Sequence, residues 1–142
     1  MYAQLNEKEK EQSFLESMLL RNLGHAHIVT YKTSFVDKGE LIIIMEFCEM
    51  GDLAYHVKKM RQKNEHFSET VIMQWFVQLC LALEYIHRRK ILHRDLKSQN
   101  VFLAKNNTIK LGDFGISKVL ENTNDQALTV QGTPYYMSPE VC

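Results

Sequence analysis

Four side chains in the middle of the sequence have the types and spacing that phosphoryl transfer requires. Asp95, Lys97 and Asn100 lie in one segment, H-R-D-L-K-S-Q-N, and Asp113 follows Asp95 by eighteen residues in the sequence G-D-F-G. A carboxylate can accept the proton of an attacking hydroxyl, and a lysine can stabilise the charge of a transferring phosphoryl group. Carboxylate and amide oxygens are ligands that Mg²⁺ prefers. These residues therefore indicate a site that works by positioning and charge neutralisation.

Each residue also has an ordinary structural explanation. Asp113 could be a turn residue before Gly115, and Asp95 could form an ion pair with Arg94. Taken one at a time, these explanations are the stronger ones. The joint occurrence of H-R-D and D-F-G in one register, followed by proline and glutamate at 139–140, favours a functional site instead.

Hydrophobic patterns predict how these residues are brought together. Two short strands at 101–104 and 108–111 flank the tripeptide K-N-N, which suits a tight hairpin turn. Asn100 precedes the first strand and Asp113 follows the second, so an antiparallel hairpin brings both to its open end. The H-R-D segment is expected there too.

The other predicted elements form a scaffold for this hairpin. Apolar spacing predicts helices at 6–23, 52–63 and 68–87, and β-branched segments predict strands at 27–35 and 41–47. The second strand is apolar on both faces, which predicts a covered inner strand. The last helix has the strongest pattern, with one broad apolar face, and we expect it to anchor the H-R-D segment.

The composition is that of an ordinary globular protein. Hydrophobic residues make up 45% of the 142 residues, and seventeen basic side chains balance seventeen acidic ones. This balance gives no support for a nucleic-acid or polybasic membrane partner. The three cysteines lack metal-ligand spacing, which favours free thiols in a reducing compartment. No signal-peptide pattern or membrane-spanning apolar run is present, so we expect a cytoplasmic protein.

The sequence resembles a eukaryotic protein kinase domain, and in particular the NIMA-related (Nek) serine/threonine kinases. The segments at 93–103, 112–115 and 132–140 carry the resemblance, and those at 45–53 and 75–78 support it. Together they extend over essentially the whole chain.

The resemblance implies an α+β, two-lobe kinase fold that is incomplete. Residues 1–45 would supply part of the small lobe from the αC helix onward, and residues 46–142 the connector and the first half of the large lobe. The implied function is transfer of the ATP γ-phosphoryl group to serine or threonine hydroxyls of protein substrates, with ATP and Mg²⁺ as cofactors. Lys97 favours serine and threonine over tyrosine as acceptors. Association with microtubules, the centrosome or the cilium is a further family expectation.

For catalysis, the resemblance makes Asp95 the base and places Lys97 at the γ-phosphate. Asn100 and Asp113 would bind Mg²⁺, and Thr133 would form a hydrogen bond near Asp95 and Lys97.

For nucleotide binding, the resemblance makes Met45 the gatekeeper and assigns adenine to the backbone of Glu46 and Cys48. Asp52 would reach the ribose, and Phe102 would form the floor of the adenine site.

Regulatory roles follow from the same resemblance. Arg94 would bind a phosphorylated activation segment, with Thr129 as the phosphorylated residue. Glu16 borders the apolar stripe of the first helix, where a solvated glutamate is the simpler interpretation; the resemblance makes it the αC glutamate. His93 would be structural, as part of a regulatory spine of four side chains: Tyr31, Leu20, Phe114 and His93.

The sequence departs from the family pattern at both ends. No G-x-G-x-x-G motif is present, no strand with a V-A-I-K lysine precedes the first helix to pair with Glu16, and the sequence stops two residues after Glu140. We interpret the chain as a fragment of an active kinase that is inactive alone. The alternative is a truncated, catalytically inactive kinase-like module that binds partners.

We expect the isolated chain to be poorly soluble or incompletely folded, because apolar faces of the helix at 68–87 and the strand at 41–47 would lose part of their cover. Thermal unfolding of the purified 142-residue monomer tests this. A sharp cooperative transition would contradict it. The reference protein is the extended chain, defined as these 142 residues with natural flanking sequence on both sides.

Overall fold

The computed structural model describes residue 18 and residues 20–114, 118–119 and 133–136. Most of the predicted helix at 6–23 and most of the segment from residue 115 onward lie outside the described residues. The described elements are, in chain order, β1 (Tyr31–Asp37), β2 (Glu40–Met45), α1 (Leu53–Gln62), α2 (Glu69–His87), β3 (Ile91–Leu92), a 3₁₀ turn (Ser98–Asn100), β4 (Val101–Leu103), β5 (Ile109–Leu111), β6 (Lys118–Val119) and a second 3₁₀ turn (Pro134–Tyr136).

Both described helices begin where the sequence predicts, because a side chain caps each of them. Asp52 accepts a hydrogen bond from the backbone N–H of Tyr55 at 2.8 Å. Ser68 accepts one from the N–H of Val71 at 3.4 Å. Each cap satisfies one N–H group that the first helical turn leaves unpaired. The predicted helices at 52–63 and 68–87 are confirmed.

The apolar face of α2 is wider than the surface that covers it. Trp75, Ala82 and Ile86 are buried, whereas Ile72 and Phe76 are 50% and 57% exposed. The prediction of one broad core face is therefore confirmed only in part, since the described residues leave the other half of that face open to solvent.

β1 and β2 pair in antiparallel fashion, but β1 begins later than predicted. The prediction placed its start at residue 27, whereas the strand starts at Tyr31. The preceding segment pairs with β5 instead: the N–H of Val29 donates to the carbonyl of Leu111 at 2.9 Å, and the N–H of Leu111 donates to the carbonyl of His27 at 2.9 Å. This segment therefore joins the first strand pair to the second.

β2 is not the covered inner strand that the sequence predicted. Ile44 and Met45 are 43% and 42% exposed, and among the described strands only β1 pairs with β2. β2 is therefore an edge strand with partly exposed apolar side chains, and the prediction is wrong for the described part of the chain.

The hairpin of β4 and β5 forms as predicted, although each strand is one residue shorter. Val101 faces Leu111 in the antiparallel register. Asn106 and Asn107 form the turn with φ angles of 58° and 55°, a conformation that asparagine adopts more readily than most residues. The register fixes which residues meet at the open end.

One core connects the helices with this hairpin. Its buried members are apolar side chains from residues 20–28, α2, β3, β4, β5 and the D-F-G segment: Leu20, Leu23, Ile28, Trp75, Ala82, Ile86, Ile91, Val101, Leu103, Ile109, Leu111 and Phe114. Among the described residues, no helix has the length and apolar character to cross a membrane.

A polar side chain of α2 also positions the hairpin. Gln78 is half-buried, accepts the N–H of Ile109 at 2.8 Å and donates to the carbonyl of Asn107 at 3.0 Å. Helical spacing places Gln78 off the apolar face of α2, and no local pattern predicts these two hydrogen bonds.

His93 is a buried polar side chain that supports the H-R-D segment. Its Nε2 donates to the carbonyl of Gly112 at 2.9 Å, and its Nδ1 accepts the N–H of Asp95 at 3.4 Å, as a neutral imidazole allows. The ring packs edge-on against Phe114, with 4.8 Å between centroids. Burial lowers the pKa of His93, and this outweighs the opposing effects of the Gly112 carbonyl and of the charges of Asp113 and Asp95.

We expect Gln78→Ala to lower the free energy of unfolding of the extended chain by about 1–3 kcal/mol, because the Ile109 N–H and the Asn107 carbonyl both lose a partner. Gln74→Ala, at an exposed position one turn earlier, is the matched control and should cost less than about 0.5 kcal/mol. Chemical denaturation of both variants measures the difference. Equal losses would contradict a positioning role for Gln78.

We also expect the extended chain to lose stability as the pH falls below about 6.5, the ordinary pKa of histidine. There the unfolded chain binds a proton that folded His93 does not, so acid favours unfolding. His25 contributes in the same direction, since burial lowers its pKa, as do the nearby charges of His27, Arg89 and Lys110.

Thermal unfolding at a series of pH values tests this expectation. His93→Gln should flatten the pH dependence of stability between about pH 5 and 7, and His66→Gln is the control for removal of an exposed histidine. An unchanged slope in His93→Gln would exclude His93 as the group responsible.

Candidate active site

Asp95 lies at the centre of a hydrogen-bond network. The Nζ of Lys97 lies 2.5 Å from its Oδ2, and the hydroxyl of Thr133 donates to its Oδ1 at 2.6 Å. The side-chain nitrogen of Asn100 donates to Oδ2 at 3.1 Å and to the backbone carbonyl of Asp95 at 2.8 Å. The carboxylate side chain is only 13% exposed. Two donors from the same loop and one from residue 133 thus hold one carboxylate.

Two opposing effects set the pKa of Asp95. Burial raises the pKa, because removal from water disfavours the charged form. The hydrogen bonds from Lys97, Thr133 and Asn100, together with the charge of Lys97, lower it by more, so the pKa of Asp95 lies below its ordinary value. The group is therefore an ionised hydrogen-bond acceptor at neutral pH.

Thr133 connects Asp95 and Lys97 from a distant part of the sequence. Its hydroxyl oxygen also accepts a hydrogen bond from the Nζ of Lys97 at 3.1 Å. The same residue begins a turn in which the N–H of Tyr136 donates to the carbonyl of Thr133 at 2.9 Å. The structure thus brings together three of the predicted catalytic residues, Asp95, Lys97 and Thr133.

Asn100 and Asp113 lie at the same end of the hairpin, as the register requires. The N–H of Gly112 donates to the backbone carbonyl of Asn100 at 2.9 Å, one position beyond the Val101–Leu111 pair. Asn100 is 4% exposed, and its amide nitrogen is used by Asp95, so its amide oxygen is the atom that a metal would use. Asp113 has a φ of 57°, an uncommon conformation for a non-glycine residue that often marks functional positions.

This donor set fits Mg²⁺. An amide oxygen and a carboxylate are hard ligands, and Mg²⁺ bound with nucleotide takes its remaining ligands from phosphate and water. The described residues contain no cluster of three or more histidine, cysteine, aspartate or glutamate side chains that would form a complete protein cage. The site therefore suits a metal that arrives with a phosphate group.

The connector, residues 46–52, to which the resemblance assigns adenine, is joined to β4. Asp52 pairs with Phe102 in an isolated bridge, and the N–H of Leu103 donates to the carbonyl of Gly51 at 2.8 Å. One carboxylate oxygen of Asp52 caps α1, and the cap does not use its other oxygen, which the resemblance assigns to the ribose. Burial raises the pKa of the Cys48 thiol, helped by the negative charge of Glu46, which favours the neutral thiol. Met45, just before this connector, is 42% exposed.

Gly112 leaves room for the ring of Phe102. A Cβ atom at position 112 would lie 2.9 Å from Cε2 of Phe102 and 3.1 Å from Cγ2 of Val29. Distances this short force a neighbouring side chain to move. The absence of a side chain before Asp113 is therefore part of how Phe102 reaches its place.

Sequence reasoning missed Lys110, which forms an ion pair with Glu46 at 2.9 Å. The Lys110 side chain is 13% exposed and also donates to the carbonyl of Ala26 at 3.1 Å. The Glu46 carboxylate is held as well, because it accepts a hydrogen bond from the N–H of Thr30 at 3.2 Å. The only local signal was alternation in β5, which places Lys110 on the face opposite its buried neighbours.

Burial raises the pKa of Glu46, but the hydrogen bonds from Lys110 and Thr30 and the charge of Lys110 lower it by more, so the net pKa lies below the ordinary value. This glutamate stays ionised and keeps the connector attached to β5 through Lys110.

The four predicted spine residues lie in or against the core. His93 contacts Phe114, Leu20 is 4% exposed, and Tyr31 packs against the core cluster. Arg94 has a φ of 65° and is half-buried. Glu16 and Thr129 lie outside the described residues.

Comparisons with known proteins identify the family. Residues 2–142 match the family model described as protein kinase domain. The chain is 51% identical over 140 residues to the mouse serine/threonine-protein kinase Nek1, 52% over 136 residues to human Nek5 and 49% over 137 residues to human Nek11. These alignments cover 99%, 95% and 96% of the chain but only 12%, 19% and 21% of the relatives. The chain thus belongs to the protein kinase family, with the α+β fold of that family, and forms part of a NIMA-related kinase domain.

Proposed function

We propose that the protein containing this chain is a serine/threonine protein kinase that transfers the γ-phosphoryl group of ATP to serine and threonine hydroxyls. The convergence of Lys97, Thr133 and Asn100 on the carboxylate of Asp95, beside the hairpin end that carries Asp113, supports this proposal best. The relatives are named as serine/threonine-protein kinases, which supports the acceptor class.

Asp95 orients the acceptor hydroxyl. As the bond between the hydroxyl oxygen and the γ-phosphorus forms, the bond from that phosphorus to the β-phosphate oxygen breaks and ADP leaves, and Asp95 takes the hydroxyl proton. Its low pKa makes it a weak base, so proton transfer follows late, after charge has developed on the attacking oxygen. Lys97, already within hydrogen-bond distance of Asp95, lies where it can neutralise the transferring group. Thr133 fixes the carboxylate from the other side.

Asn100 and Asp113 would hold Mg²⁺, which when bound neutralises phosphate charge. The connector at 46–52 would hold adenine through its backbone, with Phe102 beneath it. This assignment places the boundary between a partial small lobe, 1–45, and a partial large lobe, 46–142, at the connector.

The cellular context is proposed by family resemblance alone. Proteins with serine or threonine are the substrates, and the cytoplasm is the location, with the microtubule cytoskeleton, centrosome or cilium as more specific sites.

We expect Asp95→Asn to reduce peptide phosphorylation by the extended chain by about 10²–10⁴-fold, because the substituted amide cannot accept the proton. Asp37→Asn, at an exposed strand end, is the matched control and should retain activity. Phosphate incorporation into serine and threonine peptides with Mg-ATP measures both.

The same assay separates the kinase from the alternative. If the extended wild-type chain is silent even with phosphate on Thr129, the enzyme proposal is wrong and a partner-binding kinase-like module replaces it.

A further inference from the structure

Residues 133–136 contact the H-R-D-L-K-S-Q-N loop at two separate places. The first contact is Thr133 with Asp95 and Lys97. The second is a hydrogen bond of 2.9 Å between the phenol oxygen of Tyr136 and the hydroxyl oxygen of Ser98. Neither Ser98 nor Tyr136 has a role in the mechanism given above.

The residues that form these contacts belong to two short turns, each closed by a backbone hydrogen bond. On one side, the Tyr136 N–H donates to the Thr133 carbonyl at 2.9 Å, so these two residues keep a fixed spacing. On the other side, the Asn100 N–H donates to the Lys97 carbonyl at 3.0 Å, and Ser98 is the first residue of that 3₁₀ turn. Two closed turns therefore meet through two contacts.

Two contacts fix the orientation of the 133–136 turn relative to the loop, which one contact cannot do. With Thr133 alone, the 133–136 turn could rotate about its bonds to Asp95 and Lys97. The bond between Ser98 and Tyr136, at the far end of the turn, removes that rotation. The position of the Thr133 hydroxyl relative to Asp95 then depends on both contacts. Precise placement of such groups matters, because small displacements of a catalytic constellation cost large factors in rate.

We propose that Ser98 and Tyr136 are positioning residues, whose hydrogen bond holds Thr133 against Asp95 and so aligns the site for phosphoryl transfer. This inference rests on the proposed kinase function and extends it to two residues outside the reacting groups. It requires that loss of either hydroxyl has the same consequence for Thr133, because each loss breaks the bond between Ser98 and Tyr136. The Ser98 hydroxyl also donates to Oε1 of Gln99 at 3.4 Å, but that bond stays within the loop and does not reach residues 133–136.

The test uses the extended chain and steady-state phosphorylation of a serine peptide with Mg-ATP. Ser98→Ala and Tyr136→Phe should each lower kcat by about 3- to 10-fold, the effect of one lost neutral hydrogen bond. The KM for ATP should stay unchanged, because neither residue belongs to the connector. The double variant should be no slower than the slower single variant.

Two control variants separate positioning from general damage. Ser98→Thr keeps the hydroxyl and should restore kcat. Tyr135→Phe removes a neighbouring phenol whose side chain is 98% exposed, and should retain full activity. Amide hydrogen exchange at Tyr136 adds a readout independent of turnover, and should be faster in Ser98→Ala.

The outcomes distinguish this inference from the function on which it rests. An active wild-type chain with Ser98→Ala and Tyr136→Phe at full kcat would overturn this inference alone, as would additive losses in the double variant. An inactive wild-type chain would overturn the proposed function and this inference with it.

Discussion

The antiparallel register of β4 and β5 is the constraint on which the rest of the structure depends. The hydrogen bond from the N–H of Gly112 to the carbonyl of Asn100 closes the open end of this hairpin. The register therefore places Asn100 just before the first strand and Asp113 just after the second, so that both candidate metal ligands lie at one end. The same two strands form backbone hydrogen bonds with other segments on both edges. Leu103 of β4 bonds to Gly51 of the connector, and Leu111 of β5 bonds to residues 27–29. A shift of one residue would turn every side chain of a strand to the opposite face and separate these groups.

Around this hairpin, partial burial raises the pKa of two carboxylates, and nearby lysines and hydrogen-bond donors lower it by more. Asp95 and Glu46 are both removed from water far enough to raise their pKa values, yet lysine and other donors keep each of them ionised. Lys97 and Lys110 thus serve two different parts of the domain by the same physics. Without such partners, burial alone would raise both pKa values.

Features that depend on interactions between residues close in the sequence could be predicted, whereas those that depend on distant partners could not. The helix at 68–87 and the hairpin turn could be predicted, because caps, periodicity and asparagine preference act within a few residues. The start of β1 could not, because Ile28 bridges to Leu111 across the fold. The candidate catalytic residues came from motif spacing, whereas Gln78, Lys110 and Ser98 were missed, because their partners lie 31, 64 and 38 residues away and no local pattern encodes those distances.

The missing side chain at Gly112 has an evolutionary consequence. The ring of Phe102 occupies the space that a Cβ atom at position 112 would need. Among related sequences, the two positions should therefore vary together: a large ring at 102 should accompany glycine at 112, and a residue with a side chain at 112 should accompany a smaller residue at 102. Selection then acts on the pair of positions and not on either residue alone.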